Sequence, residues 1–176
     1  MEGFLPAQET EVKVNYDSGM VIRRATRADV DALGRLGALL MTVHYDFDRR
    51  RFLEPNPQSA AGYGRYLLSQ LDDPDSVIFV AEVDGEVVGY CYCVIEPLSW
   101  KELRDEAGFI SDLALDPRAR RQGAGTKLVA AAVAWFRERK LARVMLWTST
   151  KNDPARQLFE RAGFRSTMTE MTLDLE

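Results

Sequence analysis

The chain has 176 residues, and 23 Lys+Arg against 27 Asp+Glu give it a formal net charge of −4. An apolar fraction of 46% and a charged fraction of 28% are ordinary for a globular protein and exclude collagen-like, coiled-coil and wholly disordered classes. Mild acidity argues against broad electrostatic binding to nucleic acid. We expect one domain over residues 20–176, preceded by a loose lead-in over residues 1–19.

The cysteines and the single histidine limit the redox and metal chemistry. Cys91 and Cys93 are two residues apart, so a bond between them would be strained, and we expect buried apolar thiols in a reducing, cytoplasmic compartment. With His44 as the only histidine, four zinc ligands cannot be gathered, and we expect no metal site. No apolar run approaches the roughly 20 residues of a transmembrane helix, so no membrane association is expected.

Capping and turn residues order the first half of the chain. Residues 21–25 are predicted as a strand, and Thr26 with Asp29 forms a capping box that opens a helix. The stretch from 42 to 57 is either a functional loop or a short helix. A helix over 60–71 comes next.

The second half of the chain is predicted to form a hairpin followed by alternating strands and helices. Asp84-Gly85 favours a tight turn between apolar strands over 77–83 and 87–95. Asn152 and Pro154 open a late helix that Gly163 ends. The other predicted elements are strands over 108–115, 143–148 and 165–175 and a helix over about 125–140. This order predicts a mixed α/β sheet.

Residues 116–127 carry the most chemical information. Arg118, Arg120, Arg121 and Lys127 against Asp116 give this segment a net charge opposite in sign to that of the whole protein. Two glycines then lead into a helix whose first amide N–H groups have no internal partner. Small residues let those amides approach an anion, and the helix dipole favours negative charge there. The segment therefore predicts a pyrophosphate site.

Two common nucleotide motifs do not fit this segment. A Walker A loop needs different spacing between its glycines and its lysine. A Rossmann fingerprint needs a third glycine where this chain has Leu128, and an acidic residue that the strand over 143–148 lacks. A solvated basic loop is the alternative, but the position between a buried strand and an amphipathic helix favours the anion site.

The hexapeptide 120–125 fits the pattern Arg/Gln-x-x-Gly-x-Gly/Ala, and the chain resembles the GNAT N-acetyltransferases. The likeness extends upstream over 109–117, and downstream to Asn152, Ala155, Leu158 and Gly163-Phe164. It covers about 21–175. It implies a mixed, largely antiparallel sheet of six to seven strands with helices on both faces, splayed at the fourth strand. The segments 111–115, 120–123 and 153–155 are similar to the aminoglycoside 3-N-acetyltransferase subgroup.

The resemblance implies that acetyl-CoA lies across the start of the helix at Gly125, as co-substrate. Backbone amides from 122 to 126 would hold its pyrophosphate, and the strand over 109–115 would offer free N–H and C=O groups to the pantetheine arm. The implied cofactor-binding residues are Leu113, Ala114, Leu115, Arg120, Arg121, Gln122, Gly123, Ala124, Gly125, Thr126, Asn152, Arg156 and Phe159.

Acetyl transfer to an amine needs a base, because simple amines have a pKa near 10.4 and an ammonium has no lone pair. Asp112 is the first candidate, as a lone carboxylate in an apolar strand, although it could also point outward or pair with an arginine. Glu82 is the second candidate and could equally be a surface residue. The resemblance implies that the backbone amide of Leu113 stabilises the oxyanion.

One residue departs from the family pattern. Many members have a tyrosine as general acid where this chain has Phe159, so water or another tyrosine would have to serve. A catalytically weak acyl-CoA-binding module therefore stays open as an alternative, and a nucleotide-binding interaction domain is a third.

The acceptor is expected to be the primary amine of a small molecule, aminoglycoside-like among the options, with a protein or peptide amine as the alternative. The candidate acceptor-binding residues are His44, Tyr45, Phe52 and Tyr92. Homodimers are common in the family, which makes a homodimer an expectation for this chain.

Overall fold

The computed structural model describes residues 14–15 and 19–175. Its strands are β1 (Val14–Asn15), β2 (Met20–Arg24), β3 (Ser76–Val83), β4 (Glu86–Glu96), β5 (Ala107–Leu115) and β6 (Val144–Leu146). Its α-helices are α1 (Val30–Phe47), α2 (Ser59–Gln70), α3 (Ala124–Glu138) and α4 (Asp153–Arg161), with short 3-10 turns at Arg27–Asp29 and Pro117–Ala119. No helix within this described part is long and apolar enough to cross a membrane.

The strands form one sheet in the order of the sequence. Strands β1 to β5 pair antiparallel, and β6 pairs parallel with β5, which confirms a mixed, largely antiparallel sheet. The predicted count of six to seven strands is not confirmed, because β1 is a two-residue pairing and the C-terminal strand does not form. Part of the predicted lead-in lies outside the described residues, but Val14 and Asn15 pair with β2.

The strand predicted over 165–175 is wrong. This segment has no regular secondary structure, although its apolar and polar residues alternate. Arg50 pairs with Asp174, and Arg51 pairs with Glu170. Its large apolar side chains are 81% to 91% exposed: Met168, Met171, Leu173 and Leu175. Alternation alone does not make a strand, because a strand also needs an adjacent edge and a surface against which to bury one face.

Helices cover both faces of the sheet, as predicted. On one face α1 and α2 pack Leu33, Leu36 and Leu67 against Tyr90 and other sheet residues. On the other face, the core under α3 and α4 contains the side chains Leu128, Trp135, Phe136 and Phe159. Successive side chains of β5 therefore point alternately to the face covered by α1 and α2 and to the face covered by α3 and α4.

The structure contains the predicted capping box and hairpin turn, but it differs from the prediction at residue 42. The Thr26 N–H donates to the Asp29 carboxylate at 2.7 Å, and Asp84 and Gly85 have φ of 51° and 81°. These two observations confirm the capping box and the hairpin turn. The stretch from 42 to 57, predicted as either a functional loop or a short helix, begins instead as part of α1, which continues to Phe47. Val43, His44 and Phe47 are half-buried there, so packing contacts continue past Thr42.

Close packing of α1 on α2 depends on glycine. A Cβ at Gly34 would overlap the backbone carbonyl of Ala60, whereas a Cβ at Gly62 would meet nothing within 4 Å. We expect Gly34→Ala to destabilise the fold by about 1–3 kcal/mol, because the two backbones must separate. Gly62→Ala, the matched control on the same helix pair, should be neutral or stabilising by up to ~1 kcal/mol. Equal unfolding free energies for the two variants in urea would contradict this packing.

Candidate active site

Strand β5 separates from its neighbour halfway along its length. It pairs with β4 from end to end, but with β6 only over Gly108–Ile110. The register with β4 also shifts, because Tyr92 pairs with Asp112 while Cys93 pairs with Ile110. Ser111 is therefore the extra residue of a β-bulge, a device that redirects neighbouring side chains. The sheet opens at this bulge, on the strand over 109–115 that the resemblance identifies as the splayed fourth strand. It is the fifth strand here because the two-residue β1 is counted.

The open side of β5 presents free backbone groups. The Asp116 N–H donates to the Val88 carbonyl at 2.8 Å, and the direction of such bonds alternates along an antiparallel pair. Leu115 and Leu113 therefore direct their N–H and C=O groups away from β4. Because β6 ends opposite Ile110, these groups face the opening between the strands.

A cleft of about 740 Å³ lies at this opening. Aromatic and cationic side chains from α1, α2 and the connection between them form one wall, and β5, β6 and α4 form the other. Among its lining residues are His44, Arg51, Phe52, Tyr63, Arg65, Tyr66, Asp112, Leu113, Trp147, Asn152 and Phe159. Its volume is typical of a site for a small organic ligand.

Asp112 lies at the centre of this cleft with two tyrosines on its carboxylate. The hydroxyls of Tyr63 and Tyr90 donate to the same oxygen, Oδ2, at 2.8 Å and 3.0 Å. Burial raises the pKa of Asp112 above its ordinary value, and the two hydroxyl donors and nearby His44 offset part of that rise. A carboxylate in a cleft with a pKa shifted by burial and by specific partners is a candidate for a functional group.

The second oxygen of Asp112 faces the cleft. Both tyrosine hydrogen bonds go to Oδ2, and within the described residues no buried side-chain oxygen lacks a partner. Because Oδ1 receives neither of these bonds, it must be accessible from the cleft that Asp112 lines. It is therefore available to accept a proton from a bound molecule.

The basic loop before α3 is held in a defined shape. The Asp116 carboxylate accepts the Arg118 backbone N–H at 2.9 Å and its guanidinium at 3.0 Å. These contacts hold the pKa of Asp116 well below its usual range. Arg121 and Gly123 have φ of 63° and 83°, so the chain turns sharply into the helix. Asp116 and two left-handed residues thus set the position of the α3 N-terminus.

The residues at the start of α3 fit a pyrophosphate. The Lys127 N–H donates to the Gly123 carbonyl at 3.0 Å, and the amides before it are those that an α-helix leaves without an internal partner. The space beside Gly123 is open, with the nearest atom 4.0 Å from where a Cβ would be. Backbone amides at a helix N-terminus with open space beside them can bind an anion.

The same helix start adjoins the open part of β5. A Cβ at Gly125 would lie 3.0 Å from Leu158 and 3.2 Å from Leu115, so the first turn of α3 touches both β5 and α4. Leu115 lies three residues from Asp112, or about 10 Å along the strand. A ligand with a pyrophosphate at α3 and an extended arm along β5 would reach the cleft, and acetyl-CoA has this form.

The structure brings some of the predicted site residues together. Those that line the cleft are His44, Phe52, Asp112, Leu113, Asn152 and Phe159. The predicted residues from Arg120 to Thr126 form the loop and first turn of α3. Asn152 begins α4, as predicted, and its side chain accepts the Ala155 N–H at 3.3 Å.

Other predicted residues lie away from the cleft. Glu82 is in an ion pair with Arg23 at 2.7 Å, and Tyr92 is buried with its hydroxyl donating to Gln70 at 2.9 Å. Tyr45 lies under the guanidinium of Arg49 at 5.6 Å. Ala114 is buried in the core beneath α1 and α2, and the Arg156 guanidinium contacts Thr150 and Asp153.

Sequence reasoning missed Tyr63 as a site residue. Its spacing with Leu67 placed it on the inner face of a helix, where an aromatic ring is ordinarily part of the core. Its hydroxyl contact with Asp112 joins residues 49 positions apart, and no local motif indicates such a pairing. The cleft residues Arg51 and Arg65 were also missed, because neither the run of three arginines at 49–51 nor the isolated Arg65 belongs to a recognisable motif.

A model of the Acetyltransferase (GNAT) family matches residues 42–164. The chain belongs to the GNAT acetyltransferase family. An uncharacterized N-acetyltransferase of Archaeoglobus fulgidus is 32% identical to this GNAT chain over 148 residues, which cover 83% of this chain and 93% of that protein. Membership in the family makes acetyltransferase chemistry the general expectation for the site.

Solved structures have the same fold. A predicted acetyltransferase from Clostridium acetobutylicum, described with acetyl-CoA, superposes with a TM-score of 0.66 at 20% identity, covering 89% of this chain and 96% of that one. The aminoglycoside acetyltransferase meta-AAC0020 from an uncultured soil metagenomic sample, described in complex with sisomicin, gives 0.63 at 23% identity over 91% and 99%. At these identities the likeness is one of fold.

Proposed function

We propose that this GNAT protein transfers the acetyl group of acetyl-CoA to the primary amine of a small molecule, by direct attack in a ternary complex. One observation carries the proposal: the Asp112 carboxylate lines a cleft at the splay of β5, on the same strand whose Leu115 contacts the start of α3. The candidate base and the candidate anion site therefore lie about 10 Å apart along one strand.

In this proposal acetyl-CoA supplies an activated acetyl thioester, and the protein binds and orients it. The amides of residues 122 to 126 hold the pyrophosphate, and the outward-facing groups of Leu113 and Leu115 bind the extended arm. The Leu113 N–H then points to where negative charge develops on the carbonyl oxygen, as in an oxyanion hole. Asn152 and Phe159, which line the cleft, flank the arm from α4, and Arg156, outside the cleft, stays a predicted contact of the phosphates.

Asp112 removes the proton that the acceptor amine must lose. Its raised pKa favours this role, because a base is most effective when its pKa approaches the working pH. Glu82 is a weaker candidate, because its carboxylate is neutralised by Arg23 outside the cleft. We therefore assign the base to Asp112.

The charges of the cleft favour a small monoamine over a polycationic acceptor. Within the described part of the chain, Asp112 is the one carboxylate among the lining residues, Arg65 is a cation, and His44, Phe52 and Trp147 are aromatic. Arg51 also lines the cleft, but its guanidinium is paired with Glu170. A substrate with several ammonium groups would find a single opposite charge on the cleft wall and the like charge of Arg65. An aminoglycoside-like molecule is among the acceptors expected from the sequence. The charges of the cleft favour a monoamine with an apolar body over such an acceptor.

A panel of amines tests the proposal directly. Thiol release from acetyl-CoA is followed with aromatic and aliphatic monoamines, aminoglycosides and peptides, and products are identified by the mass increase of one acetyl group. We expect saturable acetylation of at least one monoamine. Saturable binding of acetyl-CoA without turnover on any amine would instead establish an acyl-CoA-binding module, and turnover on peptides alone would overturn the small-molecule assignment.

The homodimer and the cytoplasmic location stay predictions. Sedimentation equilibrium of the full chain measures the oligomeric state, and a monomer at every concentration would contradict the homodimer.

A further inference from the structure

We propose that Tyr63 is a catalytic proton relay, which carries a proton from the acceptor amine to Asp112 and returns it to the departing sulfur. The inference rests on the proposed acetyl transfer and extends it. It supplies a proton donor for the thiolate, a role that Phe159, with no exchangeable proton, cannot fill.

The first argument is the geometry of the two hydroxyls on Asp112. Both reach Oδ2, Tyr63 at 2.8 Å and Tyr90 at 3.0 Å. Tyr90 is fully buried, with 0% exposure, and does not line the cleft. Tyr63 is half-buried and lines it. Of the two, Tyr63 is the hydroxyl that can touch both the carboxylate and a bound ligand.

The second argument is that neighbouring helices hold the Tyr63 ring in place. A Cβ at Gly37 on α1 would overlap this ring, so the glycine leaves a slot that the ring fills. Tyr66 packs edge-on at 5.8 Å between ring centroids. A ring held on two sides keeps its hydroxyl at one position, which proton transfer requires.

The third argument is that Phe159 and Asp112 line the same cleft. The family position for the general acid on α4 is therefore occupied by a buried apolar ring at the edge of the cleft. The Tyr63 hydroxyl, on the opposite wall, belongs to a residue that lines the same cleft and is already hydrogen-bonded to the candidate base.

The relay balances atoms and charge. The acceptor ammonium first loses one proton to water, which leaves the neutral amine. As the nitrogen of this amine bonds to the acetyl carbon, one N–H proton passes to the Tyr63 oxygen while the Tyr63 proton passes to Asp112 Oδ2. When the carbon–sulfur bond breaks, the sulfur keeps the electron pair and takes the Tyr63 proton, and Asp112 returns its proton to Tyr63. The net products are the amide and the thiol, with Tyr63 neutral and Asp112 ionised as at the start.

The protonation states support this direction of transfer. Burial, with the charge and hydrogen bond of Asp112, raises the pKa of Tyr63 above its ordinary value. Tyr63 is therefore a neutral hydroxyl at working pH, able to donate a proton. It never needs to persist as a phenolate, because Asp112 exchanges protons with it in both half-steps.

Two matched variants test the relay. Tyr63→Phe and Tyr90→Phe each remove one hydrogen bond from the same carboxylate oxygen, but only Tyr63 faces the cleft. We expect Tyr63→Phe to lower kcat by roughly 100-fold or more with little change in KM, in the range of general acid–base catalysis. Tyr90→Phe should lower it by less than about tenfold and shift the acidic limb of the pH profile, since it changes only the environment of Asp112.

A second readout does not depend on turnover. The thiol of bound CoA is titrated with pH, and the ultraviolet absorbance of the thiolate reports its ionisation. The dissociation constant of CoA and the melting temperature are measured for each variant to confirm that it binds CoA and folds. A hydroxyl that donates to the thiolate lowers the thiol pKa, so the bound thiol should titrate at higher pH in Tyr63→Phe than in the wild type or in Tyr90→Phe.

The outcomes separate the relay from the function on which it rests. Wild-type protein that acetylates no amine overturns the proposed function itself. Active wild-type protein in which the two variants lose equal activity, or in which the bound thiol titrates alike in both, overturns the relay and leaves acetyl transfer standing.

Discussion

Replacing Asp112 with asparagine is expected to lower kcat by roughly 10²- to 10⁴-fold, the range for loss of a general base. The amide cannot accept the amine proton, whereas its shape still allows hydrogen bonds from Tyr63 and Tyr90. The affinity for CoA should not change, because the anion site is at α3. Steady-state kinetics and calorimetry on the same preparation measure both quantities.

The pH dependence gives this prediction a second measurement. Burial raises the pKa of Asp112 in the folded protein, so the acidic limb of kcat/KM should lie above the ordinary range of an aspartate and be absent in Asp112→Asn. The raised pKa also means that the ionised group destabilises the fold. The free energy of unfolding of the wild type, compared with that of Asp112→Asn, should therefore fall as the pH rises through the pKa of Asp112 in the folded protein. Below the pKa of Asp112 in the unfolded chain, this destabilisation should be absent.

Glu82→Gln is the control for the base assignment. Glu82 is the other carboxylate of the sheet that sequence reasoning favoured, and it is held by Arg23 away from the cleft. Its variant should keep turnover within about twofold, as expected for a surface substitution. Full activity of Asp112→Asn at every pH, or a larger loss in Glu82→Gln, would contradict the role of Asp112.

The second large effect is expected at the start of α3. Gly123→Trp should weaken CoA binding by roughly 100-fold or more, because the indole would fill the open space over the amides that we propose hold the pyrophosphate. The substitution also strains the backbone, since φ is 83° there and left-handed conformations cost a bulky residue roughly 1–3 kcal/mol. Calorimetric titration with CoA measures the affinity, and thermal unfolding measures the strain.

Gly163→Trp controls for that strain. Gly163 has a φ of 93° with nothing within 4 Å of a Cβ, and it follows α4 rather than preceding α3. It should lose similar stability and keep CoA affinity. If both variants bind CoA equally well, the amides of residues 122 to 126 do not form the anion site.

Local signals accounted for much of the fold, because they depend on residues close in sequence. Asp84-Gly85, Asn152 with its cap, and the apolar stripe of α3 each specify a turn or a helix within a few positions. The strand predicted over 165–175 did not form, because a strand depends on a distant edge that the sequence does not specify. For the same reason the full length of α1, set by packing on α2, was underestimated.

The same distinction between local and long-range signals applies to the candidate site. The glycine loop and Asp112 stood out, because a basic loop in an acidic protein and a carboxylate in an apolar strand are local anomalies. Tyr63 did not, because its meeting with Asp112 is made by the glycine-lined crossing of α1 and α2. Contacts of this kind depend on tertiary packing, which a motif does not describe.

Isothermal titration of the full-length protein with acetyl-CoA tests the central claim most directly, because the base, the relay and the acceptor cleft all depend on a thioester bound from α3 along β5. We predict saturable binding at a single site, competition by CoA, and much weaker binding of ATP or NAD. The absence of heat and of affinity for every CoA thioester tried, or a clear preference for ATP or NAD, would contradict the account.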